Sequence, residues 1–178
     1  MNIEEAKECF ISAKKTDVKG KKHKGLLIIK PNQALAESYI AKAKRNLGYC
    51  EFYKNEEADY KLPEEWFYTM YYCAIAIISK FGIESRSQRC TAVFLRYAKD
   101  KKLIEYDDDF IERITVHPEK EIESDVDRRE EARYGPYVKN KEVADKYPEM
   151  MDICRKAISQ AEEIVYSSKK FEIPKEFL

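Results

Sequence analysis

Trp66-Phe-Tyr-Thr-Met-Tyr-Tyr-Cys-Ala-Ile-Ala-Ile-Ile-Ser-Lys-Phe-Gly82-Ile83 is the stretch on which the fold turns. It is long enough for several helical turns, and Trp66, Phe67, Met70, Tyr71, Tyr72, Cys73, Ile75, Ile77 and Ile78 leave it almost no polar face. A helix that is apolar on nearly all sides belongs in the middle of a bundle or is shared with a second subunit. Pro63 suits the first turn of such a helix, and Gly82 suits its C-terminal cap. The pattern therefore predicts a central helix over about 63–81, in an all-α, up-and-down bundle of four to five main helices.

Working outward, Asn32 is a plausible N-cap for an amphipathic helix running to about Tyr53 through Leu35, Tyr39, Ala43, Leu47 and Cys50. A charged loop, 55–61, separates it from the central helix. Beyond Gly82, Ser87 to about Lys99 predicts a helix with Cys90, Val93, Phe94, Tyr97 and Ala98 inward. A shorter amphipathic piece follows over 103–114. The last long helix is expected from about Glu142 to Ser167, with Pro148 marking a kink or a true start. The tail from Phe171 to Leu178 shows no periodicity.

Residues 1–30 read differently, as an arm packing on a helical domain that spans 31–178. A short helix is expected up to Lys15. Seven lysines and one aspartate then fall between Lys14 and Lys30, which reads either as a solvated loop or as a basic arm for phosphates. His23, within the lysines, reads as a solvated side chain. Leu26 to Ile29 is strand-like and too apolar to be left in water.

Thirty-three basic and 33 acidic residues cancel in the 178-residue chain, so attraction to nucleic acid has to come from a local patch. Cys9, Cys50, Cys73, Cys90 and Cys154 are far apart and form no C-x-x-C or Cys/His cluster. No metal and no cofactor are expected. All five are expected to be buried thiols, which with the lack of a leader pattern suggests a cytoplasmic protein. The longest apolar run, Cys73 to Ile78, is too short to span a bilayer, so no membrane partner is expected.

The polar run Asp127-Arg-Arg-Glu-Glu-Ala-Arg-Tyr-Gly-Pro-Tyr137 holds the candidate site. Arg129 and Arg133 share a helical face, with Tyr134 and Tyr137 nearby. Two arginines beside two rings can hold a phosphate and stack a base. Acidic residues from Glu121 to Glu131 offer the alternative of surface salt bridges at i,i+4 spacing. Tyr71 and Tyr72 have the same two readings, as core or interface residues or as ligand contacts.

Taken in order, Ala41-Lys-Ala-Lys-Arg-Asn-Leu47, Tyr71-Tyr72-Cys73-Ala74, Gly82-Ile83, Ser85-Arg-Ser87, Arg129 and Tyr134 resemble the HEPN family (higher eukaryotes and prokaryotes nucleotide-binding domain) over about Lys30 to Tyr166. The resemblance implies a helical bundle, a homodimer, and binding of nucleotide, RNA or a nucleotidyltransferase-type partner. In RNA-cutting members, including toxins of toxin–antitoxin pairs, an arginine is followed after four to six residues by a histidine. Together they act without metal on the ribose 2′-hydroxyl and the adjacent phosphate. Here the expected positions hold Arg133, Tyr134 or Gly135, and neither arginine nor tyrosine is a ready base near neutrality. His117, four residues after Arg113, is one position too close and precedes Pro118. The sequence thus favours ligand binding by Arg128, Arg129, Arg133, Tyr134 and Tyr137 without efficient catalysis. The alternative is a metal-independent endoribonuclease with a displaced base, for which Arg129 and His117 are the catalytic candidates. The homodimer is expected on the 66–81 helix and its neighbour from Ser87.

Overall fold

The computed structural model describes residues 3–17, 22–115, 129 and 140–178. Its elements are α1 (Ile3–Asp17), β1 (Leu26–Ile28), α2 (Gln33–Asn55), α3 (Leu62–Lys80), β2 (Ile83–Ser85), α4 (Gln88–Asp100), α5 (Asp108–Arg113) and α6 (Lys141–Val165), with single 3-10 turns at Asp59–Lys61 and Lys175–Phe177. The chain is mostly helical, as the periodicity predicts.

α3 is the central helix. It packs most extensively on α2, then on α6, and α4 lies along a third side. Trp66, Phe67, Met70, Cys73, Ile77 and Ile78 are all buried. The apolar surface of α3 is therefore largely covered within a single chain, so it does not require a second subunit. The ends of these helices are set by local chemistry. The Asn32 side chain accepts from Leu35 N at 3.0 Å, that of Ser87 from Cys90 N, and that of Asn140 from Val143 N, each satisfying a first-turn amide.

β1 and β2 pair antiparallel, Leu26 opposite Ser85 and Ile28 opposite Ile83. Two glycines make this junction possible. Gly82 leaves α3 at φ +78, and a Cβ there would stand 2.7 Å from the Ile29 carbonyl. At Gly25, with φ +155, a Cβ would lie 2.3 Å from the Cys9 carbonyl of α1. Both positions combine a positive φ with a close backbone approach that only glycine tolerates.

Several expectations require correction. Cys9 and Cys90 are not thiols but a disulfide, Cα–Cα 5.7 Å, joining α1 to α4; Cys50, Cys73 and Cys154 are buried thiols. Such bonds are rare in reducing compartments, which weighs against the cytoplasmic setting expected from composition. Among the described residues, no helix is long and apolar enough to cross a membrane. His23 is not solvated. It is 4% exposed, with Nε2 3.2 Å from Glu84 Oε1, because the β1–β2 pairing brings the residues just before β1 beside Glu84 of β2. The 103–114 piece is helical only from Asp108, and Ile104 and Tyr106 reach the core from the non-helical chain before it. α6 passes through Pro148 and starts at Lys141, because Asn140 supplies the cap. The aperiodic tail also joins the core: Phe177 stacks on Phe10 at 4.8 Å, and Phe171 lies 4.8 Å from Phe81.

Candidate functional site

α3 is flanked by α2 and α4, and between them it presents Tyr68, Tyr71 and Tyr72. Each is half-buried, and they are spaced at i, i+3 and i+4, so they share one face. Their rings continue across the helix boundary. Tyr68 stacks on Tyr72 at 5.7 Å and 23°, and Tyr72 stacks on Tyr39 of α2 at 6.2 Å and 22°. Phe67, buried beneath, is nearly parallel to Tyr71 at 5.7 Å and edge-on to Tyr68.

One cation stands at an end of this array and another over its middle ring. The Arg129 guanidinium lies 4.5 Å from the centroid of Phe67 and 5.8 Å from that of Tyr68. On the α2 side, Lys42 Nζ lies 4.4 Å from the centroid of Tyr72. Both distances fall within the range in which the ring quadrupole attracts a cation. Arg129 thus reaches Tyr68 of α3, bringing together two stretches that the sequence treats separately. Arg128, Arg133, Tyr134, Tyr137 and His117 lie outside the described residues. Arg113, the arginine nearest His117 in sequence, is turned toward Asp109 at 2.8 Å and the Met150 sulfur at 3.6 Å.

The electrostatics suit binding better than proton transfer. Burial pushes the Tyr71 phenol up from its usual value, although a hydrogen bond with Thr91 works in the opposite direction. Thr91 Oγ1 is in turn 2.7 Å from Ser85 Oγ and donates to the Ser87 carbonyl. A phenol held neutral in this way is a hydrogen-bonding group and not a base. Among the described residues, no three His, Cys, Asp or Glu side chains gather as a metal site.

A separate cleft of about 670 Å³ lies between the end of α4 and α6, with Lys99, Lys102, Glu105, Asp107 and Gln160 among its walls. Several of its polar groups already have partners. Lys99 pairs with Asp108 at 2.6 Å, and Gln160 both accepts from the Asp107 amide and donates to its carboxylate.

Sequence reading missed Phe67, Tyr68, Tyr39 and Lys42 as site residues. The i, i+3, i+4 tyrosines were a usable signal for the face, whereas the contributions of Tyr39 and Lys42 depend on the packing of α2 against α3. No family model, curated protein or solved structure matches the chain.

Proposed function

We propose that the tyrosine array of α2 and α3, with Arg129 at one end and Lys42 over its middle ring, binds a nucleotide or a short single strand of RNA without cleaving it efficiently. The observation that carries this reading is the continuous Arg129–Tyr68–Tyr72–Tyr39 arrangement with Lys42 over its middle ring. Aromatic rings offer bases a stacking surface that tolerates any sequence, and cations beside them attract the phosphates. An HEPN-like module of the non-catalytic kind fits this arrangement and the lack of a histidine at the expected positions.

The test is equilibrium binding of short RNAs and of mononucleotides to purified protein, with RNA integrity followed in the same tubes. Tyr68→Ala and Tyr72→Ala should each weaken binding about tenfold, the loss of one stacking platform. Arg129→Ala should weaken it to a similar degree. Rapid metal-independent cleavage that disappears in Arg129→Ala or His117→Ala would replace this reading with the endonuclease. An absence of salt-sensitive binding, with all three binding variants equal to wild type, would leave a module that engages a protein such as a nucleotidyltransferase-type partner.

A further inference from the structure

One covalent bond carries much of the attachment of α1. The principal neighbours of this helix are β1, α4 and the 3-10 turn at Lys175–Phe177; the bundle helices α2, α3 and α6 are not among them. The side chains it buries are Ala6, Cys9, Phe10 and Ala13, of which Phe10 alone is large, while Ile11 is 50% exposed. Its ion pair with α4, Glu5 to Arg89 at 2.9 Å, lies at the surface, where such pairs contribute little. A 15-residue helix is marginal in water without tertiary support. The Cys9–Cys90 bond to α4 adds what these contacts lack.

The two sulfurs of that bond are not equivalent. Cys9 lies in the middle of α1, whereas Cys90 is the third residue of α4, in the turn that Ser87 caps and next to Arg89. First-turn amides and a neighbouring cation stabilise a thiolate at such a position. A disulfide opens faster when one of its sulfurs leaves readily as a thiolate. Both sulfurs are nearly covered, so a reductant reaches Cys9 through local opening of the weakly held α1.

We propose that the Cys9–Cys90 bond is a redox latch, opened in the folded protein by a dithiol, and that its opening releases α1 while α2, α3 and α6 stay packed. One thiolate of the dithiol attacks Cys9 Sγ, and the S–S bond breaks with its electron pair on Cys90 Sγ, which then takes a proton. The second thiol of the dithiol attacks its own sulfur in the mixed disulfide and frees Cys9 as a thiol. Two electrons and two protons have then passed to the protein, and the dithiol has become a disulfide. Release uncovers Phe94 and Phe177, the rings against which Phe10 packs. The redox state of the surroundings thereby sets whether this aromatic surface is closed. The latch is independent of the ligand reading, whose residues lie on α2 and α3 and at Arg129.

The test is dithiothreitol reduction of the full wild-type chain without denaturant, followed by maleimide labelling with mass spectrometry, circular dichroism and hydrogen exchange. Cys9 and Cys90 should become labelled while buried Cys50, Cys73 and Cys154 stay unlabelled. Amides of α1 should exchange at least about tenfold faster than in the oxidised protein, with those of α2, α3 and α6 unchanged. Reoxidation with oxidised glutathione should restore the protection of α1. A bond that resists reduction until denaturant is added, a reduced protein whose α1 is as protected as before, or a reduction that strips protection from the whole bundle would each overturn the latch and leave a structural staple.

Discussion

Glu84 stands between two nitrogen bases of different kinds, accepting from Arg86 Nε at 2.6 Å and lying 3.2 Å from His23 Nε2. The Arg86 guanidinium first, and the His23 imidazole after it, hold the carboxyl below its usual range. A lowered carboxyl favours the folded state at pH values above its unfolded pKa of about 4.3 and loses that contribution as pH falls through the lower folded value. Urea unfolding from pH 7 to pH 2 should accordingly show wild type ahead of Glu84→Gln near neutrality, with the gap closing below about pH 4. The buried thiols give a second prediction at this scale. Burial pushes Cys50 and Cys73 well above the ordinary thiol range, and the thiolate is the nucleophile. Iodoacetamide at mildly alkaline pH should label neither residue in the folded protein and both in denaturant, as read by mass spectrometry. The neighbours of His23 could not have been read from its surrounding lysines, because Glu84 is 61 positions away and arrives only through the β1–β2 pairing.

At the scale of elements, α1 depends on long-range partners. It packs on β1, α4 and the 3-10 turn near Phe177, and the Cys9–Cys90 bond fixes it to α4 across 81 positions. A cross-link closing a loop of that size stabilises a fold by about 4.5 kcal/mol in the chain-entropy account. The Cys9→Ser, Cys90→Ser double variant should lose roughly 2–5 kcal/mol in denaturant titration, with amides of α1 the first to gain hydrogen-exchange rate. α2 offers the opposite case. Gly48→Ala should stabilise the monomer by up to about 1 kcal/mol, since the added methyl meets open space in a helix interior. Caps, helical faces and the central place of α3 were legible because each depends on residues a few positions apart. The disulfide was not, because pairing five well-separated cysteines needs the tertiary arrangement. The short α5 was not legible either, since Ile104 and Tyr106 are as apolar as a helical face requires while lying in non-helical chain.

Over the whole molecule the charges cancel, so the chain brings no general field to a polyanion. Binding that relies on Arg129 and Lys42 should show a shallow salt dependence. Two neutralised phosphates of a single strand correspond to a slope of about −1.4 in log K against log salt, and a much steeper slope would implicate further lysines. The bundle was legible at this scale because hydrophobic burial dominates it and leaves a 3.6-residue imprint. The candidate site was legible only in part. Arg129 and the tyrosines of α3 were visible as residue types, but their joining over Phe67 depends on how the chain returns after α5.

Phe10 stacks on Phe177, and that contact bears on the order of events during synthesis. Domains tend to acquire structure from the N-terminal side as the ribosome elongates the chain. Here α1 emerges before the elements that cover its phenyl face: first α4, which supplies Phe94 and Cys90, and much later the turn that carries Phe177. Throughout that interval α1 is a nascent amphipathic segment with an uncovered aromatic side chain, the kind of species chaperones capture.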